Sequence, residues 1–166
     1  MNTDSALIKY NLASGNDYKE GYINVDNCSM FPECKTDLKA DLREMIVIFN
    51  TVDEIRLSHF AMYLRPKEVV ELLAKWYGWL KQGGKFELEC IDIKKVSRIV
   101  ASGQPQSVLD SWGLVNLYGN EQTKTHQWGW TAKSLTPLLF QAGFSEVKVK
   151  KGLKKPNRDF LIIATK

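Results

Sequence analysis

Histidine is nearly missing from this chain, which has two in 166 residues, His59 and His126. Any proton-accepting imidazole near neutral pH must be one of these. Cysteine is almost as scarce: Cys28, Cys34 and Cys90 are odd in number, and Cys28 and Cys34 have no histidine or second cysteine pair near them in sequence. That pattern lacks zinc-type pairing, so the thiols are expected to be reduced in a cytoplasmic protein and no metal site is expected. No run approaches the roughly 18–20 apolar residues of a membrane span. Met1 to Ala6 is polar, without a basic region followed by an apolar one, so no secretory signal is expected. A GxGxxG opening a helix after the first strand is also missing, which argues against a nicotinamide dehydrogenase.

The chain does have the means to build a core. Its hydrophobic fraction is 44%, its charged fraction 25%, and it carries Trp 5, Tyr 6 and Phe 7. These values suit one globular domain over residues 1–166. The net charge is +4. Much of the excess sits late, at Lys148, Lys150, Lys151, Lys154, Lys155 and Arg158. A solvated, lysine-rich strand edge accounts for that cluster, and nucleic acid is not the expected partner.

Ile8 to Leu12 alternates apolar and polar residues and delivers the turn-rich cluster Ala13-Ser14-Gly15-Asn16-Asp17. Tyr22 to Val25 is a second short strand ending at Asp26, Leu38 to Leu42 a third, and Val52 to Leu57 a fourth running into Ser58-His59. From Pro66 the period changes: Val69, Leu72, Leu73, Trp76 and Leu80 form one helical stripe, with Gly83-Gly84 as the expected stop. Phe86 to Ile91 reads as a strand, and Ile93 to Ala101 and Ala132 to Ala142 read as helices. Val147 to Val149 and Phe160 to Ala164 then close a hairpin. The fold class is therefore α/β, a mostly parallel sheet with an antiparallel C-terminal hairpin.

Ligands of open parallel sheets bind beyond the carboxyl ends of the strands. Here small residues follow the first strand, Asp26 the second, Asp41 the third and Ser58 the fourth. Small residues let backbone amides approach a ligand, and a carboxylate can accept from two ribose hydroxyls. Taken singly, each of these is as readily an ordinary turn or cap.

The segment KYNLASGNDYKEGYINVD resembles the opening of a group of small S-adenosylmethionine-dependent methyltransferases, whose pattern is roughly LNLGCG, a short loop, then GYINVD. The resemblance runs on through KADLREM, VDEIRLSHF, WYGWLKQGGKF and YGN…THQWGWT…LLFQAGF, covering about residues 8 to 150. It implies a Rossmann-like class I methyltransferase fold with S-adenosyl-L-methionine as cofactor. It also implies that Leu12, Ala13, Ser14, Gly15 and Asn16 lie against the methionine part, and that Asp26 holds the ribose. Asp41 and Leu42 would flank the adenine, Ser58 and His59 would sit near the sulfonium, and Tyr22 would wall the pocket. Bacterial members of the group often belong to surface-polysaccharide or glycan pathways, so the resemblance favours a sugar or other small hydroxyl acceptor. The chain departs from the pattern at Ala13, where the group has its first glycine, at Ser14, and at Met62-Tyr63, where the group has a Glu-His pair. It also joins its first two strands by Ala13 to Gly21 alone, short for a parallel crossover.

His59 and His126 are the candidate bases for stripping a proton from the acceptor. Each can equally be an ordinary turn or loop residue. Tyr118 to Trp130 suits an acceptor-binding lid, and Trp112, Trp128 and Trp130 are candidates either for stacking on a sugar or for the core. Oxygen is favoured over nitrogen as the acceptor, because Ser58-His59-Phe60-Ala61 stands where base-amino methyltransferases carry an Asp/Asn-Pro-Pro-aromatic tetrapeptide. Two other readings fit the same residues. One is a methyltransferase-like binding module that has lost activity; the other is an RNA methyltransferase using the basic C-terminal end.

Overall fold

The computed structural model describes residues 6–121 and 124–166, and the polar lead-in Met1 to Ser5 lies outside them. Nine strands are assigned among these residues: β1 (Lys9–Leu12), β2 (Ile23–Asp26), β3 (Leu38–Lys39), β4 (Val52–Ser58), β5 (Leu80–Ile91), β6 (Gly119–Asn120), β7 (Lys124–Thr125), β8 (Glu146–Lys151) and β9 (Asp159–Thr165). Seven of them form one sheet in the order β3-β2-β1-β4-β5-β9-β8. β1 to β5 pair in parallel, while β9 runs antiparallel to both β5 and β8. This is the expected sheet. β6 and β7 make a separate small hairpin inside the segment expected to be a lid, whose residues 122–123 are not described.

Helix α1 (Pro66–Trp79) starts where proline presets the first turn, and the Arg65 backbone N–H donates to Oε2 of Glu68 at 2.9 Å. Its buried stripe is Val69, Leu72, Leu73, Trp76 and Trp79. It stops four residues short of Gly83, and Leu80 already belongs to β5. The glycine pair instead serves the register shift where β5 joins β4, since a Cβ on Gly84 would stand 2.8 Å from the Lys81 carbonyl oxygen. α2 (Ile93–Ala101) is capped by Asp92, and α5 (Ala132–Ala142) by Thr131. Between them, α3 (Gln106–Val108), a π-helical turn (Leu109–Leu114) and α4 (Val115–Tyr118) form a helical stretch the periodicity did not reveal.

α1 and α5 share one aromatic core with the sheet. Trp76 stacks on Phe86 with centroids 5.8 Å apart, and Phe144 meets both Phe86 and Tyr77. Leu12, Ile55, Leu73, Leu135, Leu139 and Ile162 fill the rest. Each such side chain contributes about 1.5–3 kcal/mol on burial.

The sequence suggests a turn or single helical turn for the first crossover, and the structure has turns there with no helix between β1 and β2. Buried amides replace the missing scaffold. Asn24 donates to the carbonyl oxygens of Lys19 and Tyr22, and Asn11 donates to that of Asp17 and to Oδ1 of Asn24. A buried amide left unpaired costs about 1–3 kcal/mol, so these bonds hold the short loop in one path.

Candidate functional site

The strand order reverses between β1 and β4, and the cleft opens there, outside the carboxyl ends of the parallel strands. Its volume is about 800 Å³, enough for a nucleoside with an amino-acid tail. Ala13, Ser14, Gly15 and Asn16 line it from the first loop, Asp26 from the second, Asp41 from the third, and Ser58 and His59 from the fourth.

The first loop is tied to the second strand. Ser14 N–H donates to the Val25 carbonyl at 3.0 Å and Gly15 N–H to Oδ2 of Asp26 at 2.9 Å. Oδ1 of Asp26 accepts from the Cys28 N–H at 2.6 Å. Ala13 sits at φ +52° and Gly15 at φ +48°, both in the left-handed region that favours glycine. Ser14 is buried, yet its Oγ has no hydrogen-bond partner. A buried hydroxyl lining a cleft with nothing to bond is the kind of group a polar ligand satisfies.

Three of the proposed cofactor residues do not line the cleft. Leu12 and Leu42 are buried in the hydrophobic core. Tyr22 is a correction: it precedes β2 at the opposite end of the sheet, where its hydroxyl donates to Glu54 and Lys9 and Lys19 face its ring. Burial, and then the Glu54 carboxylate, push that phenol's pKa up.

The two histidines differ in the same way. At the end of β4 the chain turns sharply through His59, φ +53°, and its N–H is held by the Glu89 carbonyl at 2.8 Å. His59 Nε2 lies 2.9 Å from Oδ2 of Asp159, and Nδ1 lies 3.0 Å from the Ser58 hydroxyl. Nη2 of Arg158, which can only donate, lies 3.0 Å from the same Nε2, so that nitrogen faces both an acceptor and a donor, while the Ser58 hydroxyl can donate to Nδ1 or accept from it. Asp159 is fully buried, and Arg158 clasps both its oxygens. Burial alone would raise the Asp159 pKa, but the bonds from His59 and Arg158 outweigh it and hold it below the usual carboxylate range. His126 stands behind the cleft wall, edge-on to Tyr63 with centroids 5.1 Å apart, and its Nδ1 donates to the Asn116 carbonyl at 3.1 Å. Burial lowers its pKa. Of the tryptophans, Trp130 is core, with Nε1 donating to the Ala61 carbonyl, while Trp112 and Trp128 are exposed but do not line the cleft.

Other charged residues also reach the cleft, among them Lys154, Lys155 and Arg158, which the sequence alone assigns to a solvated strand edge. Arg56, buried in mid-strand, reaches Oδ1 of Asn11 at 3.0 Å and Oδ2 of Asp17 at 2.8 Å. Lys154, from the β8–β9 connection, pairs with the same Asp17 oxygen at 2.9 Å and so ties that connection across to the first loop. The charge of Arg56 inside an apolar strand, and the acid Asp159 opening another, were the available signals. The loop after β2 also brings the sulfurs of Cys28 and Cys34 and a carboxylate oxygen of Asp26 within 4.8 Å of one another. Burial pushes the Cys34 thiol up to about 12, followed by the neighbouring Cys28 and Asp26.

No family model and no curated protein matches the chain in sequence. Solved structures do match in fold. A SAM-dependent methyltransferase from Archaeoglobus fulgidus superposes with a TM-score of 0.68 at 20% identity, over 98% of this chain and 87% of that one. An S-adenosylmethionine-dependent methyltransferase from Mesorhizobium loti gives 0.63 at 14% identity, over 98% and 92%. Phosphoethanolamine N-methyltransferase 2 of Haemonchus contortus, solved with S-adenosylhomocysteine, gives 0.62 at 11% identity over 98% of this chain and 49% of that one. The chain therefore has the Rossmann-like fold of the class I S-adenosylmethionine-dependent methyltransferases.

Proposed function

We propose that this protein is an S-adenosylmethionine-dependent methyltransferase acting on a hydroxyl of a small or sugar-like acceptor, in glycan assembly. The observation that carries the reading is the meeting of the Gly15 loop and the Asp26 carboxylate on one cleft at the strand-order switch. The donor set suits an adenosyl ligand with an amino-acid tail. Asp26 keeps a lone pair on each oxygen that would accept from ribose hydroxyls, the unpartnered Ser14 hydroxyl and the backbone of Ala13 to Asn16 would hold the tail, and Asp41 and Phe31, which also line the cleft, would hold the base. When bound, this group supplies an electrophilic methyl on a sulfonium.

The rest of the chemistry falls to the chain's own residues. His59 takes the acceptor's proton at Nδ1, in the direction its Ser58 bond marks. In the tautomer protonated at Nε2, Asp159 accepts from Nε2–H and offsets the imidazolium that forms, while Arg158, itself 3.0 Å from Nε2, keeps Asp159 ionised. Phe60 and Tyr63 give the cleft aromatic faces of the kind that sugar rings pack against. A base for a hydroxyl, together with the absence of the amino-methyltransferase tetrapeptide, supports oxygen as the acceptor atom.

Calorimetry with S-adenosylhomocysteine tests the cofactor, and a saturable one-to-one heat is expected. A degenerate module would show none, and that result overturns the reading. Labelled methyl transfer to a panel of sugars and small alcohols then tests the base. His59→Gln and Asp159→Asn are each expected to lower turnover at least about 100-fold, the usual worth of a positioned base. S-adenosylhomocysteine affinity should stay within a few-fold. His126→Ala should leave turnover near that of the unmodified protein.

A further inference from the structure

We infer that Asp26, Cys28 and Cys34 form a binding site for a thiophilic divalent cation such as zinc, placed so that it shares Asp26 with the nucleoside cleft. The three ligand atoms lie within 4.8 Å of one another. Two thiolates and a carboxylate around zinc, at about 2.3 Å and about 2.1 Å, stand roughly 3.5–3.8 Å apart in a tetrahedron, so little motion is needed. The backbone already holds this arrangement. Cys28 sits at φ +54°, where the bond from its N–H to Oδ1 of Asp26 turns the chain back on the carboxylate. Cys34 is returned to the same point by a turn in which its N–H donates to the Phe31 carbonyl at 2.9 Å. Soft sulfur ligands with one carboxylate select zinc or cobalt over magnesium or calcium.

Three protein ligands leave a fourth position for water. Binding is an acid–base exchange without redox change: each thiol gives its proton to solvent, each sulfur forms one bond to the metal, and the carboxylate donates a lone pair. The second part of the inference, competition with the cofactor, rests on the proposed role of Asp26 toward ribose. The first part does not.

The test uses the full chain under reducing conditions, titrated with cobalt(II) and followed by absorbance. The expected result is one equivalent bound, with a sulfur-to-cobalt charge-transfer band in the near ultraviolet and tetrahedral bands in the visible. Cys34→Ser and Cys28→Ser should each abolish the charge-transfer band while circular dichroism stays unchanged. No such band, or a band that survives both substitutions, overturns the site. Calorimetry with S-adenosylhomocysteine on zinc-loaded protein should show affinity at least ten-fold weaker than on metal-free protein. Equal affinity overturns the sharing of Asp26. If metal-free protein binds no S-adenosylhomocysteine while the cobalt bands appear, the cofactor reading fails and the metal site stands.

Discussion

Gly15 and Asp26 meet across the end of the sheet, the glycine N–H donating to Oδ2 of the carboxylate at 2.9 Å. The bond joins the loops that leave two neighbouring parallel strands, so the edge of the cleft is already closed before any ligand enters. The other oxygen of Asp26 does the same for Cys28. One carboxylate thus organises two loops and still has lone pairs to offer.

Replacing that carboxylate by its amide removes the charge and one of the two acceptors. Asp26→Asn is expected to weaken S-adenosylhomocysteine at least ten-fold, because bonds to a charged group are worth about 1.5–3 kcal/mol. Calorimetry reads the affinity, and a thermal melt should show the fold retained.

Ala13 offers a change in the opposite direction. Its φ of +52° costs an L-residue roughly 1–2 kcal/mol, while glycine there gives back about 0.4–1 kcal/mol through the freedom of the unfolded chain. Ala13→Gly should therefore raise stability by up to about 1 kcal/mol, which moves the midpoint of a thermal melt up by about 2–4 °C.

His126 gives the fold a pH dependence. Burial holds its folded pKa below the ordinary histidine value of about 6.5, so between the two the unfolded chain binds more protons than the folded one. Stability thus falls as pH drops below about 6.5. Urea melts at pH 7.5 and pH 5 should show this loss, and His126→Asn should flatten it.

Gly152 is required by close approach rather than by φ. A Cβ there would stand 2.5 Å from Asp159 Cβ and 3.0 Å from Oε1 of Glu89. Gly152→Ala is expected to cost about 1–3 kcal/mol as overpacking and to displace the connection carrying Lys154 and Arg158. If the His59–Asp159 pair is the working base, turnover falls more steeply than stability, which parallel melts and rate measurements resolve.

Local patterning made much of this molecule readable in advance. Ile93–Ala101 and Ala132–Ala142 are helices over the expected residues, and the strands and closing hairpin lie between the turn signals, although the third strand keeps only Leu38–Lys39 of Leu38 to Leu42 and the fifth begins at Leu80 rather than Phe86. The π-turn stretch of residues 106–118 was not readable, because its apolar residues follow no single period and it is held by α2 instead. The resemblance puts Tyr22 at the pocket wall, but Tyr22 enters β2 at the end of the sheet away from the cleft, where Glu54 and Lys9 meet it.

The order of elements, the small-residue loop and the acid after the second strand are properties of neighbouring residues, and the chain specifies them through local sterics and hydrogen bonding. Which groups finally face one another depends on contacts between residues far apart in sequence. His59 finds Asp159 one hundred positions away, and Asp17 finds Lys154, only because β9 inserts beside β5 and its connection folds back over the strand ends. Pairing of that kind is set by burial of the whole sheet, which no short window of sequence contains.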